Sequence, residues 1–368
     1  MRSTVLANRK FYKNTMAVIA LLAGLAGAIA AVIKLIPKPV PVQNIHEITE
    51  FVLDRSEGMR QKFADGSRIQ AAAGSVRAVL DSLADSDVLA LRQFGGPCDG
   101  NNTSLAVKPG QNNRSKIQDA LKSPKLGGQS SLARAVIEAT GDFDESERFK
   151  GIVKSIVVVT GSRDACSPQG DAVAAIRDRM ARIKNADIHL DFHFIGIGLD
   201  DAEREDVTKI ADATGGKKPV FVDRREDLDG ALQKVLVVEP IVRDTRSVIT
   251  LLDAGVDHLN GVFGAIARSD YPAADKELKA AREEAAKSDL AWDEVGKGSR
   301  KQQFKQLYET AAESRRIRDD ILNLAVKMLA QAKANDIEGY NSSRLDFNRL
   351  SGDYNRNGTS INALLKQM

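Results

Sequence analysis

Phe51-Val52-Leu53-Asp54-Arg55-Ser56-Glu57-Gly58-Met59 decides how the rest of the chain is read. An apolar run ends in a carboxylate, a hydroxyl follows two residues later and then a glycine. This is a strand delivering polar side chains into a loop. Two later segments answer it: Gly128-Gln129-Ser130-Ser131-Leu132, and the apolar run Ile156 to Val159 leading into Thr160-Gly161-Ser162. Oxygen donors gathered from strand-to-helix loops at the carboxyl edge of a parallel sheet can cradle a hard cation such as Mg2+. The plainer reading makes Asp54 the cap of a helix starting near Glu57, and makes Ser56 and Ser130 caps as well.

Outward from that segment, residues 45–238 alternate strand and helix signals, which predicts an α/β domain with a doubly wound, mostly parallel sheet. Strands are expected at 48–54, 87–94, 103–108, 154–160, 188–197 and 219–222. Helices are expected at 58–83, 114–122, 131–143, 169–185, 203–214 and 224–236. Apolar spacing of three and four supports them, as in Ala175, Ile176, Met180 and Ile183. The second and third strands read as a hairpin joined by a loop from Gly95 to Asn102 that carries Cys98.

This stretch resembles the von Willebrand factor type A domain, particularly its bacterial exported branch. The likeness rests on Asp54-Arg55-Ser56-Glu57-Gly58, Phe94-Gly95-Gly96-Pro97-Cys98-Asp99, Asp164-Ala165-Cys166, Phe194-Ile195-Gly196-Ile197-Gly198 and Ile210-Ala211-Asp212-Ala213-Thr214-Gly215-Gly216. The family carries Asp-x-Ser-x-Ser, a Thr in a glycine-rich turn and Thr-Asp-Gly, which together form a metal-ion-dependent adhesion site whose open position accepts a partner's carboxylate. Asp54 and Ser56 match that pattern. Ser130 stands in for the Thr, with Ser131 as the alternative if the turn shifts by one. Gly58 replaces the second Ser and Gly161 replaces the Asp.

The resemblance therefore implies a degenerate site that holds no metal, or holds Mg2+ or Mn2+ weakly, since such ions usually need one or two carboxylates. Asp164 is the candidate compensating carboxylate. Glu57, Gly58, Ser131, Gly161 and Ser162 complete the expected binding loops.

The amino-terminal end predicts a membrane anchor. Residues 1–15 carry Arg2, Arg9, Lys10 and Lys13, and Met16 to Ile33 contains no charge. Eighteen such residues can cross a hydrocarbon core of about 30 Å. Basic residues upstream keep that end cytoplasmic. The expectation is a single-pass inner-membrane protein, with a cytoplasmic tail at 1–15, a signal anchor at 16–37 and extracytoplasmic domains beyond. A cleaved signal peptide is the alternative, since Ala28-Ile29-Ala30 offers small residues at suitable spacing. The two cysteines, Cys98 and Cys166, are then expected to form a disulfide.

Beyond Pro240 the sequence loses its strand signals. Residues 241–368 predict an all-helical domain, with an antiparallel four-helix bundle as the economical arrangement. Ile249, Leu252, Val256, Leu259, Phe263 and Ile266 draw one apolar stripe, a helix is expected at 273–290, and Gly296 and Gly298 mark a break. A long helix follows at 299–333. Its Arg315, Arg316 and Arg318, set against Asp319 and Asp320, read as a solvated face with local ion pairs. The stretch 336–367 carries fewer apolar residues.

Composition excludes some functions. With 53 basic and 50 acidic residues among 368, the net charge of +3 and the lack of an aromatic-interleaved basic patch give no reason to expect nucleic acid. His189, Asp191 and His193 alternate along one expected strand and could in principle hold Zn2+, although satisfied or surface histidines explain them as well. No nucleophile, phosphate loop or acid/base set appears. The reading is a non-enzymatic, membrane-anchored binding or scaffold protein that engages another protein through its loops and associates with a partner or with itself through the helices. A subunit of an envelope hydrolase is the alternative.

Overall fold

The computed structural model describes residues 48–100, 102–142, 153–167, 169–185, 189–295 and 304–368. The expected tail at 1–15 and anchor at 16–37 lie outside them, as do Gly296, Gly298 and the first residues of the expected 299–333 helix. Among the described residues, no helix is long and apolar enough to cross a membrane. The chain divides into two compact units, Val40–Glu239 and one whose described part is Pro240–Met368.

The strands of the first unit are β1 (Ile48–Asp54), β2 (Lys62–Phe63), β3 (Gly66–Ser67), β4 (Val88–Phe94), β5 (Thr103–Gly110), β6 (Lys154–Thr160), β7 (Leu190–Ile197) and β8 (Val220–Val222). Six of them make one sheet, ordered β5-β4-β1-β6-β7-β8. All its neighbours are parallel except β4 and β5, which form the expected hairpin. β1 and β6 are buried along their whole length, because helices cover both faces of a sheet of this kind. Helices α1 (Arg68–Leu80), α2 (Arg114–Ala120), α3 (Leu132–Ala139), α4 (Gln169–Asn185), α5 (Asp201–Thr214) and α6 (Arg225–Gln233) supply that cover. Val52, Ile156, Val158 and Phe194 of the sheet pack with Leu132 and Val136 of α3 and Val207 of α5.

One expected helix is corrected. Residues 58–83 are not continuous: a 3-10 turn (Glu57–Arg60) is followed by the small antiparallel hairpin of β2 and β3 before α1 begins. Ser67 sets that start with a reciprocal capping box to Gln70. The delay places Arg68 in the first turn of α1, beside the loops at the carboxyl edge of the sheet.

The second unit contains four helices among its described residues: α7 (Glu239–Ala267), α8 (Tyr271–Val295), α9 (Lys305–Lys333) and α10 (Ile337–Gln367). The Tyr271 hydroxyl donates to the Ala332 carbonyl, and the Tyr308 hydroxyl to the Val295 carbonyl. These two bonds join the start of α8 to the end of α9 and the end of α8 to the start of α9, so the pair runs antiparallel. Phe263 of α7 meets Phe347 of α10 edge to face at 5.1 Å within a core that includes Leu278, Ile321 and Met328. The basic cluster of α9 differs from its reading as a solvated face. Arg316 is exposed, but Arg318 is buried and makes a bidentate pair with Asp289 of α8 at 2.9 Å.

A loop crown at the carboxyl edge of the sheet

Four loops meet where β1, β4 and β6 end and α3 begins. Two glycines at positive φ permit the approach. Gly95 (φ 125°) passes so close to Ser56 that a Cβ would lie 2.6 Å from its amide nitrogen. Gly128 (φ 69°) abuts the Gly96 backbone in the same way. Backbone hydrogen bonds then join the loops: Glu57 N to Gly128 O, Gly127 N to Arg55 O, Gln129 N to Gly96 O and Ala165 N to Ser130 O. The disulfide between Cys98 and Cys166 links the β4–β5 loop to the β6–α4 loop, as expected from the sequence.

Asp54 ends β1 with its carboxylate fully buried and satisfied from inside the protein. Oδ1 accepts from the Ser56 amide at 2.8 Å, and Oδ2 from the Thr160 hydroxyl at 2.9 Å and the Gly161 amide at 3.2 Å. It caps no helix, which corrects the plainer reading. Burial pushes its pKa up, and these donors pull the other way.

Ser56 and Ser162 place their hydroxyls 3.1 Å apart. A Cβ on Gly58 would fall 2.0 Å from Ser162 Oγ, so the Ser162 side chain occupies the room a residue larger than glycine would need. Ser130 is 2 % exposed and its hydroxyl has no protein partner. Ser131, the alternative, donates to the Asn102 carbonyl at 3.0 Å and is thereby committed to the loop.

The remaining expected residues are dispersed. Glu57 is exposed and pairs with Arg60, which lowers its pKa. Asp164 has no hydrogen-bond partner of ordinary length. Burial raises its pKa, against the Ser167 side chain and the amides of Ala133, Cys166 and Ser167 that face it. Two of those amides belong to its own loop, and Ala133 lies in the first turn of α3. His193 Nε2 lies 3.2 Å from the Asp191 carboxylate, with which Lys217 pairs at 3.3 Å. Among the described residues, no group of three or more His, Cys, Asp or Glu side chains could hold a metal ion.

Arg68 is the crown residue that the sequence reading missed. It is 6 % exposed, and its guanidinium donates to the Gly161 carbonyl at 2.6 Å and to the Gly198 carbonyl. A Cβ at position 161 would lie 2.9 Å from Arg68 Cδ and 2.5 Å from Met59 Sδ, so both would have to move to admit an aspartate. The signal for Arg68 was the Ser67-x-x-Gln70 capping box, which marks where α1 starts.

Residues 49–163 match the von Willebrand factor type A domain. The matched residues run from β1 to the loop after β6 of the mostly parallel sheet. No curated protein matches the chain. Solved structures that it resembles include the pilus adhesin SpaC from Lactobacillus rhamnosus GG in an open conformation, at 15% identity and a TM-score of 0.40 over 52% of this chain and 30% of that one. The PilB minor pilin from Streptococcus sanguinis aligns at 12% identity and a TM-score of 0.42, over 54% and 62% of the two chains. The manganese-loaded TRAP protein from Plasmodium vivax aligns at 17% identity and a TM-score of 0.36, over 52% and 74%. This chain thus spans less than two thirds of SpaC and of PilB.

Among the described residues, the loop crown does not fit a resident divalent cation. Hydroxyl oxygens are present at Ser56, Ser130 and Ser162, and Asp54 is the fully buried carboxylate of these loops. Its lone pairs already accept three protein donors, and the buried charge of Arg68 acts on it. A hard cation needs oxygen ligands whose charge is not already spent.

Proposed function

We propose that this chain is a membrane-anchored, extracytoplasmic protein-binding component whose type A domain presents its loop crown to a partner protein without a bridging metal ion. The observation that carries this reading is the internal satisfaction of the Asp54 carboxylate beside the buried Arg68 guanidinium. The disulfide-linked loops agree with placement in an oxidising compartment, and the uncharged segment 16–33 after a basic tail supplies the anchor. Among the described residues the crown assembles no acid/base or nucleophile set, which supports binding over catalysis.

The test is affinity capture with the full chain in detergent, performed in EDTA and in millimolar Mg2+, alongside an R60E/R163E variant that reverses two exposed crown charges. The reading expects the same partner in both buffers and its loss from the variant. Capture that requires Mg2+, or that survives the charge reversal unchanged, would overturn it.

A further inference from the structure

The two ends of the crown disulfide meet solvent differently. Cys98 is exposed, between the exposed Pro97 and Asp99, whereas Cys166 is half-buried. The loop that carries Cys98 is pinned on both sides. Gly96 exchanges two backbone hydrogen bonds with Gln129, and the Gly95 amide donates to the Asn102 carbonyl, which also accepts from the Ser131 hydroxyl. The Cys166 loop is anchored separately, by the Ala165 amide on the Ser130 carbonyl. Breaking the sulfur–sulfur bond therefore frees the tips of two crown loops and leaves their bases in place.

The inner side of the bond holds a polar group with no other partner. Asn102 is 2 % exposed, and its side-chain amide donates to Cys166 Sγ at 3.5 Å. Its Oδ1 is buried and accepts from no donor. Among the described residues, the sulfur is thus the one partner of this side chain. A buried amide left half-satisfied is costly, and an apolar residue of the same size would fill the space without that cost. What the amide supplies is an N–H beside a sulfur.

In thiol–disulfide exchange a thiolate attacks one sulfur and the other leaves as a thiolate, so the rate follows access to the first and the stability of the second. Solvent reaches Cys98. Burial alone makes Cys166 a poor thiolate, and hydrogen bonding from Asn102 offsets that. We propose that this disulfide is a thiol-exchange site with a fixed direction. An external thiolate bonds to Cys98 Sγ, the Cys98–Cys166 bond breaks, and its electron pair departs on Cys166 Sγ. The Cys166 thiolate, held by its anchored loop, then either re-attacks Cys98 Sγ and expels the incoming thiolate, or waits while a second thiolate attacks the reagent's sulfur in the adduct and expels Cys98. The second course oxidises two thiols, or one dithiol, to a disulfide and leaves both cysteines reduced and protonated. Partner capture by the crown then tracks the surrounding thiol–disulfide balance. That consequence rests on the binding role proposed above, whereas the direction of exchange does not.

The probe is reduced glutathione, added to the full chain in detergent under native conditions. Early samples are quenched with N-ethylmaleimide, and the adducts are located by peptide mass spectrometry. Glutathione should sit on Cys98 with maleimide on Cys166, in about tenfold excess over the reverse arrangement. Asn102→Leu, which keeps the volume and removes the donor, should form the adduct about threefold more slowly. Glutathione found equally on both cysteines, or mainly on Cys166, would overturn the proposal, and so would a disulfide that reacts only after denaturation. A leucine variant that folds and exchanges at the wild-type rate would overturn the part given to Asn102, and the wild-type map decides the direction even where that variant does not fold. Exchange directed to Cys98 in a crown that captures no partner would leave the exchange site standing and the binding role refuted.

Discussion

Arg68 donates to the carbonyl of Gly161 at 2.6 Å, while the amide of the same glycine donates to Asp54. One peptide segment thus carries a guanidinium on one side and a carboxylate on the other, at the position where the family pattern has an aspartate. Arg68→Ala should open this space. Gly161→Asp alone is expected to cost about 1–3 kcal/mol through crowding against Met59 and Arg68. Combined with Arg68→Ala it supplies a second carboxylate, and the melting temperature should then rise with Mg2+. A ligand at a hundred times its Kd adds about 2.7 kcal/mol. The wild-type melting temperature should not move. A metal-dependent rise in the wild type would contradict the charge argument.

Gly58 and Ser162 are coupled by space. Because a Cβ at 58 would meet Ser162 Oγ at 2.0 Å and the Gly161 carbonyl at 3.2 Å, Gly58→Ala should destabilise the first unit by about 1–3 kcal/mol. Ser162→Gly removes the nearer obstacle. The double variant should recover most of that loss, giving a coupling energy measurable by urea denaturation. Additive losses would mean that the two positions do not share this space.

What the sequence made legible follows from burial. The β6 run Ile156 to Val159 is covered on both faces, so its apolar continuity marks strand limits that the structure reproduces at Lys154 and Thr160. The β2–β3 hairpin was not legible, because two-residue strands carry no periodicity. Reading through it as helix displaced Arg68 from the crown, although the Ser67-x-x-Gln70 box was there to be read. Arg318 was hidden differently. Its charge suggested solvent, yet it shares the helix face of Ser314, Ile321 and Ala325, all buried at spacings of four, three and four. For the crown, residue types pointed to the loops that carry Asp54, Ser56 and Ser130. Where Ser162 and Arg68 sit depends on side-chain packing, which spacing does not encode.

Glu50, at the centre of β1, is fully buried, and its nearest cation is Arg92 at 3.6 Å, which itself makes a bidentate pair with Asp142. Burial raises the Glu50 pKa well above its ordinary value, the neighbouring Asp142 carboxylate adds to this, and Arg92 opposes it. The folded state therefore holds this proton more tightly than the unfolded chain. Its contribution is fully present below the unfolded pKa and is lost as pH rises through the folded one. Glu50→Gln should remove that dependence, so the stability of the variant relative to wild type should increase as pH rises above the ordinary Glu value of about 4.3. A difference that stays flat or falls with pH would reverse the sign.

The Cys98–Cys166 bond closes a loop of sequence separation 68 between two arms of the crown. On chain-entropy grounds, its removal should cost about 4 kcal/mol. Cys98→Ser/Cys166→Ser is expected to lower the denaturation midpoint accordingly, and to speed amide exchange at 95–102 and 161–167 before it does so in β1 and β6, which remain buried. Unchanged exchange in the two loops would remove the disulfide from the devices that hold the crown together.

Arg318 joins α8 to α9 from within the helical unit. Its guanidinium holds Asp289 in a bidentate pair and also reaches Ser288 and Asp319. Removing one member of a buried pair typically costs about 3–5 kcal/mol, because the other is left desolvated. Asp289 is one third exposed and keeps Arg315 at 2.8 Å, which places Arg318→Ala near the lower end of that range. Arg318→Met, which retains the apolar stem, should lose less. Trp292, the single tryptophan, lies 5.3 Å from the Tyr308 ring in the same unit, so its fluorescence reports unfolding there. A midpoint by tryptophan emission that is unmoved in Arg318→Ala would mean that the α8–α9 contact stands on its apolar residues alone.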